Sequence, residues 1–320
     1  MKGGSKLIEV KHLTKKYGKH LALDDLSFTV EKGQIYGFLG PNGAGKSTTM
    51  NIMTGYISAT DGEVLIDGCS ILEEPEKAKK CIGYLPEIPP LYLDMTVMEY
   101  LNFVAELKKI PKDRRLTEVR KAKNLVKLSD VSDRLIRNLS KGYRQRTGLA
   151  AAVLGFPDII ILDEPTVGLD PKQIIEIREL IRTLAKDHTV ILSSHILAEV
   201  QEICDYVLII SKGRLAASGT PEELEKLSQG KESIELTIKA NRKTIQTILD
   251  KISGIQNITW QNENYDTCDI LIETSDSAQK VCEDISLSFA TERIPVTKIN
   301  ILKATLEDIF LELTEGDSKK

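Results

Sequence analysis

The sequence predicts an α/β domain carrying an inserted helical subdomain, with a small α+β domain behind it. Three observations carry that prediction. Strand-like runs alternate with helical stretches over the first part of the chain; a helical pattern replaces them from Thr96 to about Ala152; and strand and helix patterns start afresh after a polar, glycine-containing segment near residue 230.

The chain has 320 residues, 41% hydrophobic and 28% charged, enough for one large core plus a smaller second one. A net charge of −4 provides no whole-chain attraction for nucleic acid or for an anionic membrane, so nucleic acid is not expected as a partner. The five cysteines are scattered and form no C-x-x-C pair, which reads as reduced, mostly buried thiols of a cytosolic protein. MKGGSKLIEV lacks the apolar run of a signal peptide, and no later stretch approaches the roughly 18 apolar residues of a membrane span. Any membrane role is therefore expected to pass through a partner.

Taken in order, IEV, LSFTV, QIYGFLG, EVLIDG and CIGYLPE read as strands, and QIYGFLG, apolar on both parities, as a central strand covered on both faces. Gly40, Pro41, Asn42, Gly43, Ala44, Gly45, Lys46, Ser47 and Thr48 follow as GPNGAGKST, between that strand and the helical stretch STTMNIMTG. This is the G-x-x-x-x-G-K-[ST] pattern of P-loop NTPases in its expected strand–loop–helix setting. Its glycines allow backbone amides and the helix N-terminus to face a β-phosphate; Lys46 adds a point charge on the β- and γ-phosphates, and Ser47 offers a hydroxyl to Mg²⁺. A glycine-rich turn with an incidental lysine is the bland alternative, and the flanking strand and helix argue against it.

The helical subdomain is expected at about 88–152, beginning with the amphipathic VMEYLNFVAELKKI and ending on NLSKGYRQR, a serine and a glycine ahead of a helix. Strands return at DIIILDE, TVILSS and YVLIISKG, separated by the helices PKQIIEIRELIRTLAKD and ILAEVQEIC. Asp163, at the end of a buried strand, is placed to face the metal. Adjacent acids there repel and desolvate poorly without a cation. Hydrolysis needs a group that accepts or orients the proton of an attacking water, and Glu164 is the candidate, against a role merely capping the loop into Pro165. His195 begins a helix after another buried strand. It is either a cap or a contact to the γ-phosphate.

GPNGAGKST, NLSKGYRQR, IIILDEPTVGLD and SSHIL occur in the order seen in ATP-binding cassette proteins, and residues 7 to about 228 resemble a transporter ATPase subunit of that family. The resemblance implies ATP and Mg²⁺ as cofactors, an ATP-hydrolysing activity, and Tyr17 as the aromatic that stacks on adenine, with a surface tyrosine as the alternative. It also implies a head-to-tail dimer, homomeric or with a related ATPase subunit, in which Ser140 and Gly142 contact the γ-phosphate held by the opposite chain. Asp170 matches the loop that crosses to that chain. The alternative for NLSKGYRQR is a capped surface helix. Lys141 and Tyr143 depart from the usual glycine and glutamine of the signature. Glu87 stands where glutamine is common near the metal and the attacking water; it is carried as a catalytic and metal candidate, with a solvent-exposed acid as the alternative.

YLPE, LSKGYRQR and TLEDIFLELT most resemble the bacterial exporter-type subfamily of drug, antibiotic, sodium, polysaccharide or gliding-motility systems. That implies a separately encoded membrane permease, docked near residues 88 to 100, and a place at the cytoplasmic face of the membrane; ordinary helical core is the competing reading of 88 to 100. The rivals are a soluble cassette ATPase acting on ribosome or DNA, and a small-molecule kinase. The first domain is expected over 1–228 and the second over 231–320, where strand, helix, strand, strand, helix, strand predicts a ferredoxin-like sandwich with a final helix. Scaffolding or dimerisation outweighs ligand sensing for it, since it shows no catalytic constellation.

Overall fold

The computed structural model describes residues 6–227, 233–264, 267–274, 277–302 and 306–315. They divide into two compact units, Met1–Pro221 and Glu222–Lys320. The linker expected near residue 230 falls outside the described residues.

The first unit opens with two long strands, β1 (Lys6–Tyr17) and β2 (His20–Glu31), paired antiparallel down to Tyr17 opposite His20. This hairpin runs well beyond the short IEV and LSFTV runs that announce it: its outer half is mostly polar or exposed, with Leu13, Ala22 and Leu23 buried, and it closes on a two-residue turn at Gly18. β3 (Ile35–Leu39) follows, then α1 (Lys46–Met53), β4 (Asp61–Ile66), β5 (Cys69–Ser70), α2 (Pro75–Lys80) and β6 (Ile82–Leu85). The helical stretch comprises α3 (Val97–Leu107), α4 (Lys112–Leu125) and α5 (Lys141–Val153). α3 starts on a capping box in which Thr96 and Glu99 satisfy each other's backbone N–H. Then come β7 (Ile159–Leu162), α6 (Pro171–Leu184), β8 (Thr189–Ser194), α7 (Leu197–Ile203), β9 (Tyr206–Ser211) and β10 (Arg214–Gly219); α8 (Pro221–Leu227) starts on the last residue of this unit.

Two sheets result. One is antiparallel, in the order β2-β1-β4-β5; the other has the order β10-β9-β3-β8-β7-β6 and is parallel except for β10. Side chains of both sheets and of α1 share one core, in which Phe28 of β2 meets Phe38 of β3 edge-on at 5.2 Å between ring centroids. Register positions the site. Leu39 lies beside Ser194, Leu192 beside Leu162, and Leu162 beside Leu85. The carboxyl ends of β3, β8, β7 and β6 are therefore nearly level, and Gly40, His195, Asp163 and Pro86 emerge in one row. That is where open parallel sheets hold ligands.

The second unit carries β11 (Ser233–Ile238), α9 (Arg242–Leu249), β12 (Ile255–Asn264), β13 (Thr267–Thr274), α10 (Ala278–Thr291), β14 (Val296–Leu302) and α11 (Leu306–Glu315). Its sheet is fully antiparallel, in the order β12-β13-β11-β14, the arrangement of a split βαβ sandwich. Strict alternation in β11 sends Ile234, Leu236 and Ile238 inward against Ile245, Val281, Ile285 and Phe289 of the helices. All five cysteines are free thiols. Among the described residues no helix is long and apolar enough to cross a membrane.

Candidate functional site

The row of strand ends opens into a cleft of about 370 Å³ lined by Tyr17, His20, Ala22, Asn42, Gly43, Gly45, Lys46, Ser47, Thr48, Glu87, Glu164, Val167 and His195. Gly45 caps α1 with φ +110°, and a Cβ there would lie 2.6 Å from Leu23 and 3.0 Å from the Ala22 carbonyl. Gly40 is equally constrained, since a Cβ would stand 2.3 Å from the carbonyl oxygen of Ile210. Only residues without a side chain fit at these two positions, where the loop passes this close to β2 and β9. Lys46 is 5% exposed, and its Nζ donates to the carbonyl oxygens of Gly40 at 2.7 Å and Pro41 at 3.3 Å. Burial pushes its pKa down, while Glu164, Asp163 and Glu87 push it up. The net shift is downward, with burial the largest cause and the surrounding carboxylates opposing it.

Two acid pairs complete the floor. Asp163 Oδ1 accepts from Ser47 Oγ at 3.1 Å and from Ser193 Oγ at 2.6 Å. Glu164 takes φ +47°, in the left-handed region that costs a side-chain-bearing residue about 1–2 kcal/mol. Its N–H donates to Ser193 Oγ at 2.8 Å, which anchors that conformation. The carboxylate lies between a cation and an imidazole: Oε1 is 3.6 Å from Lys46 Nζ, and Oε2 is 2.9 Å from His195 Nδ1. β8 lies directly alongside β7 in parallel, which brings the residue after β8, His195, beside the residues that follow β7.

Tyr17 ends β1, is 49% exposed and lies at the mouth of the cleft, with Lys15 Nζ 5.1 Å from its ring centroid. Glu87 follows β6 and lines the same cleft. Ser140, Gly142 and Asp170 do not line it. Ser140 caps α5 by accepting from the Tyr143 N–H at 3.4 Å, and Asp170 caps α6 by accepting from the Gln173 N–H at 2.9 Å. Gly142 sits where a Cβ would fall 2.8 Å from the Gln173 side chain, so the start of α5 packs closely on α6. Tyr143 bonds Asp130 at 2.9 Å, which occupies the side chain that replaces the usual glutamine.

Ser193 and His20 escaped the sequence reading. Ser193 holds Asp163 and Glu164 together, and no local pattern in the sequence marks it. His20 reaches the cleft because it pairs with Tyr17 across the hairpin turn.

Ser47 and Asp163 are hard oxygen donors of the kind Mg²⁺ selects. Their oxygens lie 3.1 Å apart, and octahedral ligand distances of about 2.0–2.1 Å place adjacent ligand oxygens about 3 Å apart. Among the described residues no cluster of three or more His, Cys, Asp or Glu could hold a metal alone. An ion held by one carboxylate, one hydroxyl and substrate phosphates fits this donor set.

A family model described as ABC transporter matches residues 23–167. The bacitracin transport ATP-binding protein BcrA of Bacillus licheniformis is 33% identical over 314 residues, covering 98% of both chains. The linearmycin resistance ATP-binding protein LnrL of Bacillus subtilis is 29% identical over 310 residues, 96% of this chain and 98% of that one. Among solved structures, an ATP-binding subunit of an ABC transporter superposes with a TM-score of 0.63 at 31% identity, covering 69% of this chain and 92% of that one. An ATP-binding cassette in its ADP conformation superposes with a TM-score of 0.61 at 28% identity, covering 68% and 92%.

Proposed function

Since the chain belongs to the ABC transporter family as an ATP-binding subunit, we propose that it hydrolyses ATP through the residues of this cleft and thereby powers a separately encoded membrane permease, an exporter. The observation that carries this reading is the convergence of Lys46, the Ser47–Asp163 pair and the Glu164–His195 pair at one row of strand ends.

The loop amides and the α1 N-terminus hold the β-phosphate, while the Tyr17 ring stacks on the adenine. Lys46 exchanges its bonds to the Gly40 and Pro41 carbonyls for phosphate oxygens, charge-assisted bonds that are stronger than those to a neutral carbonyl. Ser47 and Asp163 would hold Mg²⁺, which would supply charge neutralisation at the phosphates. Glu164 accepts the proton of the water that attacks the γ-phosphorus. His195 orients Glu164 through the 2.9 Å contact and presents its ring to the γ-phosphate. Glu87, facing the same cleft, adds a negative charge where glutamine is usual; it strengthens the hold on the metal and weakens that on the γ-phosphate.

Ser140 and Gly142 lie outside the cleft of their own chain, as they must if they complete the site of a second subunit. The α5 N-terminus then meets the neighbour's triphosphate, Asp170 crosses the same interface, and hydrolysis releases the tie between subunits. A groove of about 630 Å³ lined by Tyr84, Pro86, Ile88, Pro90, Tyr100 and Val104, with Ile88 83% exposed, is the docking surface for the permease. The exporter reading follows the names of the two antibiotic-related relatives, and it places the protein at the cytoplasmic face of the membrane. The 231–320 region serves this assembly as a scaffolding or dimerising module.

The test is ATP turnover together with co-purification. Mg²⁺-dependent release of phosphate and recovery with an integral membrane protein are expected. Stimulation by ribosomes or DNA without a membrane partner would favour a soluble cassette ATPase, and phosphate transfer to an acceptor other than water would favour a kinase.

A further inference from the structure

Glu199 has no part in the chemistry above, yet it is a carboxylate only 3% exposed, on α7. Burying it is unfavourable unless hydrogen bonds and a countercharge compensate, so its partners show what it is for. Oε2 accepts two hydroxyl hydrogen bonds, from Thr166 at 2.8 Å and from Ser194 at 3.0 Å. Thr166 stands two residues after Glu164, and Ser194 one residue before His195. Ser194 Oγ also accepts the Ile196 N–H at 3.0 Å, so both chain neighbours of His195 connect to the same carboxylate. Oε1 faces Arg178 of α6, with Nη2 at 3.9 Å, and Arg178 also pairs with Glu202.

These bonds close a ring. Glu164 leads along the chain to Thr166, Thr166 to Glu199, Glu199 to Ser194, and Ser194 to His195, which returns to Glu164 through the 2.9 Å contact. At the strand side Ser193 already anchors Asp163 and the Glu164 N–H. On the far side, where both chains have left the sheet, Glu199 is the shared acceptor.

We propose that Glu199 is a positioning residue that clamps the loop behind Glu164 to the loop bearing His195 and so sets the distance between the proton acceptor and its imidazole. The clamp rests on the ATPase reading of this cleft and adds to it a residue that does not touch nucleotide. Its removal leaves the P-loop, Lys46 and Ser47 untouched, so binding and turnover separate. A displacement of about 1 Å in a reacting group lowers a rate by about a hundredfold.

The experiment compares Glu199→Ala and Glu199→Gln in the full-length protein, measuring kcat and KM for ATP and the ring resonances of His195, one of only four histidines in the chain. Glu199→Ala is expected to lower kcat by about 10- to 100-fold with KM changed less than about threefold, and to move the His195 resonances. Glu199→Gln keeps an oxygen that accepts both hydroxyls, and it should retain kcat within about fivefold and leave the His195 signals in place. Equal kcat in the parent and the alanine variant overturns the clamp. So does parallel loss of nucleotide binding and turnover, which would make Glu199 a general fold residue. A parent protein with no ATPase activity would refute the proposed function instead, and the His195 resonances would still decide the clamp: unmoved in Glu199→Ala, they overturn it.

Discussion

Beside their apolar cores, the two units differ in the polar groups they bury. In the second, the helices and the antiparallel sheet close on Ile234, Leu236, Ile270, Ile272, Ile285 and Phe289, and among the described residues Thr274 is the one buried polar group. In the first, Lys46, Asp163, Glu164, Thr166, Ser193, Ser194 and Glu199 are all buried, and they gather at the carboxyl ends of parallel strands. Apolar burial of the first kind contributes stability roughly in proportion to area. Charge burial of the second kind contributes little and is tolerated where each group has a partner. The difference separates a surface organised for a ligand from a core organised only to hold its shape.

Substitution can break that contrast. Lys46→Ala removes the cation at the centre of the buried carboxylates, and turnover should fall by about a thousandfold or more, as for loss of a charged group that acts in the transition state. Undiminished phosphate release would remove the P-loop reading. Glu164→Gln should lower kcat by about 10²- to 10⁴-fold while ATP stays bound and a dimer accumulates. Steady-state turnover and size-exclusion chromatography with ATP check both parts, and parent-like turnover would refute the proton-acceptor role.

Phe289→Ala probes the other unit. It should cost about 3–5 kcal/mol in chemical unfolding of the second unit without lowering nucleotide affinity. The sharpest comparison has the smallest effects. Ser193→Ala and Thr274→Val each remove one buried hydroxyl and should each cost about 1–2 kcal/mol of stability. Only Ser193→Ala should slow ATP turnover, by roughly tenfold, because Ser193 orients both Asp163 and Glu164. Equal activity in the two variants would show that buried polar groups at the strand ends are structural as well.

Much of this arrangement was legible in the chain. GPNGAGKST marked a loop between a strand and a helix because glycine spacing and a following helix are local requirements, and IIILDE marked a buried strand ending on Asp163 and Glu164 because an apolar run closed by two acids is local pattern too. The hairpin extends further than its apolar runs suggest, because its outer half is mostly polar and is held by ladder pairing of neighbouring strands, which local hydrophobic pattern does not mark. Ser193 and Glu199 were not legible at all. A serine in a strand and a glutamate on a short helix have no local signature until β7 and β8 are set side by side.

By itself, then, the sequence determined the alternation of strands and helices, the phosphate loop and the identity of the acids, since these follow from local periodicity and from spacings of a few residues. Tertiary structure alone decided that Glu164 meets His195, that Ser47 meets Asp163, and that one buried carboxylate joins both loops. Those contacts bridge residues 31, 116 and 33 positions apart. Only the parallel register of the sheet brings such distant residues within hydrogen-bonding reach.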